Sequence, residues 1–194
     1  GEAFQTTMSD LWTSVQELSK DPSSSVTQGL LVQRAEEFVE RAVNIYDGMT
    51  FYQDNLNVQL KQHVDKINDY GKKIMELNEQ IRKIEVGGIE HANDLRDVRN
   101  GLLDELAELV DIKTNENIYG DVDIQIEGVD FIKGERNFEI MLQTDESTGF
   151  YTPFWPQNAS YKILSDGSRE YNIDGAEVFD LKREISSDKN TDIG

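Results

Sequence analysis

The chain has 194 residues, 37% of them hydrophobic, and its 19 basic against 38 acidic side chains give a formal charge of −19. That length suggests one large domain or two small ones, and a surface this acidic argues against nucleic acid or membrane as partners and for basic partners or salt-screened packing. Cysteine is absent, so disulfides, thiolate chemistry and cysteine-based metal sites are excluded; no apolar run reaches the roughly 18 residues of a bilayer span.

Prolines stand only at Pro22, Pro153 and Pro156, so the first 111 residues read as helical. Met8, Leu11, Trp12, Val15 and Leu18 recur at helical spacing and predict a helix over 7–20 with one apolar stripe. Asp21-Pro22 ends it, because the residue before proline is driven out of the helical region. Ser25 and Gln28 fit a capping box for the next helix.

From there a heptad pattern runs through about seven repeats. One seam position holds Val39, Tyr46, Gln53, Leu60, Ile67, Ile74 and Ile81; the other holds Ala35, Ala42, Met49, Leu56, His63, Tyr70, Leu77 and Ile84. A helix over 26–85 would be roughly 90 Å long at 1.5 Å per residue. Gly48 and Gly71 each weaken it by about 1 kcal/mol relative to alanine, and either is a candidate bend, but the seam continues across both and continuity is expected. Gly87-Gly88 breaks the pattern. Asn93 or Asp94 can cap a third helix over 94–110, with Leu95, Val98, Leu102, Leu106 and Leu109 as its stripe. The short loop sends it back antiparallel against the long helix. The expected pairing seam is therefore Leu60, Ile67, Tyr70, Ile74, Leu77, Ile81 and Ile84 against Leu95, Val98, Leu102, Leu106 and Leu109.

After Asp111 the period changes to two. Val122, Ile124 and Ile126 alternate with polar residues and predict a half-buried strand. Strands are also expected at 129–133 between Gly128 and Gly134, at 138–144, and at 178–185. A hairpin pairs 161–164 with 170–173 around Ser165-Asp166-Gly167. Residues 186–194 read as polar loop. The fold class is α+β: an elongated antiparallel helical bundle or coiled-coil rod over 1–111, then a small, mostly antiparallel β domain over 112–194.

Three stretches carry a family resemblance. Phe4, Leu18-Ser19-Lys20-Asp21-Pro22, Ala35 and Phe38 come first; Ile67-Asn68, Leu77-Asn78 and Ile81 follow. The most specific runs from Ala92-Asn93-Asp94-Leu95-Arg96-Asp97 through Leu102, Glu105-Leu106 and Leu109 to Ile112. Together with Gly120, Gly128, Phe131-Ile132 and Gly134 these resemble the flagellar hook-associated protein 1 family over about residues 4–134. Gln28, Val98 and Asn100 depart from it, standing where arginine, glutamine and aspartate are frequent.

The resemblance implies a non-enzymatic structural subunit at the junction of hook and filament of the bacterial flagellum. It implies a central fragment lacking both terminal helices, secreted through the flagellar export apparatus without a cleaved signal peptide. Implied partners are other copies of itself in a ring, hook protein and hook-associated protein 3, with the fragment alone a monomer, an exposed remnant of the seam, and no nucleic acid, membrane or cofactor. Two other classes remain open: a coiled-coil extracellular binding or fibre protein such as a phage-tail or adhesin segment, and a hydrolase using carboxylates near Asp121 and Asp123.

Individual residues add little chemistry. His63 reads as a tolerated polar seam residue and His91 as solvated, and two distant histidines offer no zinc spacing. Asp121 and Asp123 share one strand face and are expected to be solvated. Asp188, Asn190 and Asp192 have calcium-loop spacing, but Gly194 falls one place late and no closing glutamate follows. Residues 150–156, Phe-Tyr-Thr-Pro-Phe-Trp-Pro, are expected to plug the end of a small β core. No phosphate-loop, dinucleotide, nucleophile-elbow or zinc-protease motif occurs.

Overall fold

The computed structural model describes residues 2–86 and 91–178. The break at Gly87-Gly88, the strand beyond Val178, the loop 186–194 and the Asp188–Asp192 spacing lie outside the described residues.

Three helices come first: α1 (Glu2–Lys20), α2 (Ser25–Glu85) and α3 (Asn93–Leu109). Helix α2 runs 61 residues without interruption at Gly48 or Gly71. Its cap differs from the capping box expected at Ser25. Ser24 Oγ accepts the Thr27 N–H at 3.4 Å, and Gln28 donates from its side chain to the Pro22 carbonyl at 2.8 Å. Helix α3 starts after Ala92 with no side-chain cap. The expected caps Asn93 and Asp94 are already its first turn, and the Ala92 N–H instead reaches Glu85 Oε1 at 3.0 Å.

The strands follow. A four-stranded antiparallel sheet has the order β1 (Ile112–Glu116), β2 (Val122–Ile126), β3 (Val129–Lys133) and β4 (Arg136–Asn137). Glu127 and Gly128, both at positive φ, make the two-residue turn between β2 and β3; such turns match the twist of antiparallel strands. Two further antiparallel pairs follow: β5 (Met141–Thr144) with β6 (Tyr151–Phe154), and β7 (Ser160–Ile163) with β8 (Arg169–Asn172). The fold is thus α+β, with a long helical region ahead of small antiparallel sheets.

Three strands were not anticipated, among them the two-residue β4, which lies just ahead of the strand expected over 138–144. Strand β1 reads Ile-Lys-Thr-Asn-Glu and is mostly exposed, so it carries no alternation to detect. Strand β6 lies inside the aromatic stretch 150–156, where Pro153, Phe154 and Trp155 are buried. The strand expected over 138–144 is confined to its last four residues, because Ile140 turns its backbone to a helix side chain.

By packing, the chain divides into residues 1–56 and residues 57–194. The division falls inside α2 rather than at residue 111. The second half of α2 shares its core with α3 and the sheet. That core joins Val64, Ile67, Tyr70 and Ile74 of α2 to Leu106 and Leu109 of α3, the inward side chains of β2 and β3, and Ile140 and Trp155. Phe131 stacks edge-on to Trp155 at 6.1 Å. In the first unit, α1 and the start of α2 form an antiparallel hairpin, with Phe4 against Phe38 at 5.3 Å and Asp10 3.9 Å from Arg34.

Candidate functional site

Within residues 57–194, three polar contacts set the pairing of α2 with α3. The Tyr70 hydroxyl donates to Glu105 at 2.5 Å, Arg99 donates to Asn78 at 2.8 Å, and Arg96 holds Glu85 through two bonds of 2.9 and 2.7 Å. Positions rising along α2 meet positions falling along α3, so the helices are antiparallel. Burial and the Glu105 hydrogen bond together raise the Tyr70 phenol above its ordinary range.

Of the twelve seam positions, Ile67, Tyr70, Ile74, Ile81, Leu106 and Leu109 are buried, and Leu60, Leu77, Leu95 and Leu102 are half-buried. Ile84 and Val98 lie off the packed face, 41% and 56% exposed. An α-helix has 3.6 residues per turn, so a strict seven-residue count drifts by about 20° per repeat. By the end of α2 the inward place has moved from Ile84 to Glu85, and in α3 it falls on Arg96 and Arg99 rather than Val98. His63 is half-buried, and His91 is exposed, 3.8 Å from Glu85.

A charged frame closes this end. Glu85 sits under Arg96 and accepts the Ala92 N–H, which holds its carboxyl down at about 2. Arg96 also bonds Glu116 on β1. The Arg99 side chain is 1% exposed and donates to Asn78 Oδ1 and to the Gly120 carbonyl, at 2.8 and 2.5 Å; desolvation lowers its pKa. Gly120, at φ +84°, leaves room for the Arg96–Glu85 pair, since a Cβ there would stand 2.8 Å from Arg96 Nη2 and 3.2 Å from Glu85 Oε2.

Asp121 and Asp123 are not solvated as expected. Asp121 is 3% exposed and faces Arg82 at 3.3 Å. Asp123 meets Lys133 at 3.1 Å and accepts the Gly134 N–H at 2.8 Å. Asp121 borders an open cleft of about 270 Å³ with Glu76, Glu79 and Glu135. Glu135 turns to Arg82 and Glu79 to Lys83, so these two acids, like Asp121, face cations rather than converging on a shared point. Among the described residues no group of three His, Asp or Glu side chains is placed to hold a metal ion.

Three asparagines on α2 have a role not expected from the sequence, although Asn68 and Asn78 stand in a stretch that carries the resemblance. Asn57, Asn68 and Asn78 each bind a backbone N–H and a backbone C=O of the β region, at distances between 2.8 and 3.2 Å. Their signal was an asparagine directly after a seam residue at intervals of 11 and 10: Leu56-Asn57, Ile67-Asn68, Leu77-Asn78.

In residues 1–56 the arrangement is different. Ser14 is the single buried side chain described there. The stripe expected on α1 splits: Leu11 and Leu18 are half-buried, whereas Met8 and Trp12 stand 54% and 64% exposed. On α2, Val32, Val39, Val43 and Tyr46 recur at i, i+7, i+11 and i+14, which is one helix face, and all four are at least half exposed.

A family model described as the flagellar hook-associated protein FlgK helical domain matches residues 1–174. The chain belongs to that family. Flagellar hook-associated protein 1 of Bacillus subtilis (strain 168) is 30% identical over 113 residues, covering 58% of this chain and 22% of the relative. Its namesake in Escherichia coli (strain K12) is 28% identical over 114 residues, 58% of this chain and 21% of the relative. The chain thus spans about a fifth of the length of these relatives. The solved structure of the flagellar hook junction protein FlgK from Burkholderia pseudomallei superposes with a TM-score of 0.68 at 18% identity, over 90% of this chain and 30% of that one. At that identity the likeness speaks for the fold: the FlgK helical-domain arrangement of helices and small sheets is the one seen here.

Proposed function

We propose that this chain is part of a structural, non-enzymatic subunit of the bacterial flagellum, working at the junction of hook and filament, and that its first 56 residues present the assembly surface. The observation that carries this is the absence of any buried hydrophobic side chain among the described residues of that unit. Ordering a backbone costs about 1–2 kcal/mol per residue. Two helices that leave Trp12, Val39, Tyr46 and Met49 in water recover too little of it by burial. Further apolar helix faces must cover them.

The family membership supports the kind of cover: further helical parts of the subunit, neighbouring copies in a ring, and through them hook protein and hook-associated protein 3. Paired long helices suit such a role, since their hydrogen bonds run along the axis that bears load. The packed antiparallel pairing of α2 with α3, through Leu60 to Ile81 and Leu95 to Leu109, would stiffen that element. Export through the flagellar secretion apparatus without a cleaved signal belongs to the same reading.

The test is complementation of a strain lacking hook-associated protein 1, using the full gene product that carries this segment with Val39, Tyr46 and Met49 changed to aspartate. Secreted subunit that fails to support filaments, while the same triple change leaves the isolated chain helical by circular dichroism, is the expected result. Normal filaments and swimming would remove Val39, Tyr46 and Met49 from the assembly surface. Light scattering of the isolated chain is expected to give a monomer, and a stable ring from this chain alone would contradict the need for additional cover.

A further inference from the structure

Asn57, Asn68 and Asn78 lie 11 and 10 residues apart on α2, about 15–17 Å per step along the axis. Each amide acts as one rung of a β-ladder. Asn78 donates to the Val122 carbonyl at 3.0 Å and accepts the Val122 N–H at 3.2 Å. Asn68 donates to the Ile140 carbonyl and accepts the Ile140 N–H, both at 2.9 Å. Asn57 donates to the Gly149 carbonyl at 2.8 Å and accepts the Tyr151 N–H at 2.9 Å. A side-chain amide has the same donor and acceptor geometry as a peptide, so it can satisfy both groups of a backbone segment at once.

The three rungs are not equally supported. Asn78 is 3% exposed, and its oxygen also accepts from the buried Arg99 at 2.8 Å. Asn68 stands beside the Lys72–Glu139 ion pair of 3.0 Å and the close contact of Gly71 with Phe131. Asn68 is itself half-buried and Asn57 is 9% exposed, but Asn57 holds the turn between β5 and β6, where residues 144–150 are all exposed, so it is the segment it fastens that is least supported.

We infer that the three asparagines fasten the β region to α2 as separate rungs that open in order, first Asn57, then Asn68, and Asn78 last. This gives the structure graded compliance: the β5–β6 hairpin can lift from the helix while the four-stranded sheet stays seated. The inference is independent of the assembly reading, since it concerns contacts inside residues 57–178 and is measured on the isolated chain.

The experiment is native-state amide hydrogen exchange by NMR at low denaturant, read at Tyr151, Ile140 and Val122. Protection should rise in that order. Asn57→Ala should speed exchange at Tyr151 by roughly tenfold, the scale of one lost buried hydrogen bond, and leave Val122 unchanged. Asn68→Ala should do the same at Ile140. Asn68→Asp keeps the acceptor for the Ile140 N–H but loses the donor, so it should retain most of that protection. Asn78→Ala should raise exchange at all three, and if that variant fails to fold, the Asn57 and Asn68 variants still decide. Equal protection at the three amides, or an Asn57→Ala effect as large at Val122 as at Tyr151, would show one cooperative unit and overturn the ordered release.

Discussion

Gly48 and Gly71 both sit inside α2, and the structure assigns them opposite sensitivities to a single added methyl. At Gly48 a Cβ meets nothing within 4 Å. Gly48→Ala therefore changes only backbone freedom and should stabilise the helix by about 1 kcal/mol. At Gly71 a Cβ would lie 2.5 Å from Phe131 Cζ, 2.9 Å from Phe131 Cε1 and 2.9 Å from Asn137 Oδ1. The ring cannot simply swing away, because Phe131 is fully buried and backs onto Trp155. Overpacking of this kind costs about 1–3 kcal/mol. With the same helix gain of about 1 kcal/mol credited, and the contacts at the tight end of the range, Gly71→Ala should lose about 1–2 kcal/mol net. A chain of this size moves by about 2–4 °C per kcal/mol. Thermal unfolding followed at 222 nm should thus show Gly48→Ala melting slightly higher and Gly71→Ala several degrees lower. Shrinking the ring tests the cause: in Phe131→Leu the added Gly71→Ala should no longer destabilise, a coupling that a double-mutant cycle isolates. If Gly71→Ala stabilises as Gly48→Ala does, the close approach of β3 to α2 is not what keeps glycine at 71.

Arg99→Met should destabilise residues 57–178 by about 2–4 kcal/mol in urea unfolding, since it orphans the buried Gly120 carbonyl, and Arg99→Lys should rescue little because one ammonium cannot span the same acceptors. The acid limb of stability should carry Glu85. Its carboxyl is lowered from 4.5 to about 2 in the folded chain, so its contribution is complete above the ordinary carboxylate range and is lost as pH falls through about 2. Glu85→Gln should flatten the pH dependence of urea midpoints in that window, and an unchanged slope would mean the Arg96 pairing adds nothing. The two tryptophans should report separately. Trp155 is 1% exposed and Trp12 64%, so acrylamide should quench one component of the fluorescence in the isolated chain. Trp12→Phe should abolish that component, and assembly of the full subunit should shield it.

The long helices were legible because their signal is local. Seven-residue spacing from Ala35 to Ile84, an Asp21-Pro22 stop and the return after Asn93 place α2 and α3 within a few residues of where they lie. The alternation of Val122, Ile124 and Ile126 did the same for β2. Partners brought together across 10 to 94 positions left no such trace. Asp121 and Asp123 alternate like a solvated strand face, yet Arg82 and Lys133 arrive to pair with them. Ile84 and Val98 fit the heptad but fall outside the packing, because the true helical period carries the seam onto Glu85, Arg96 and Arg99. Asn57, Asn68 and Asn78 look like ordinary polar residues until a strand end or turn presents an N–H and a C=O with no ladder partner. Periodicity is a property of neighbouring residues and can be read from the chain. Satisfaction of a buried polar group depends on which distant backbone folds against it, and that was decided only by the tertiary structure.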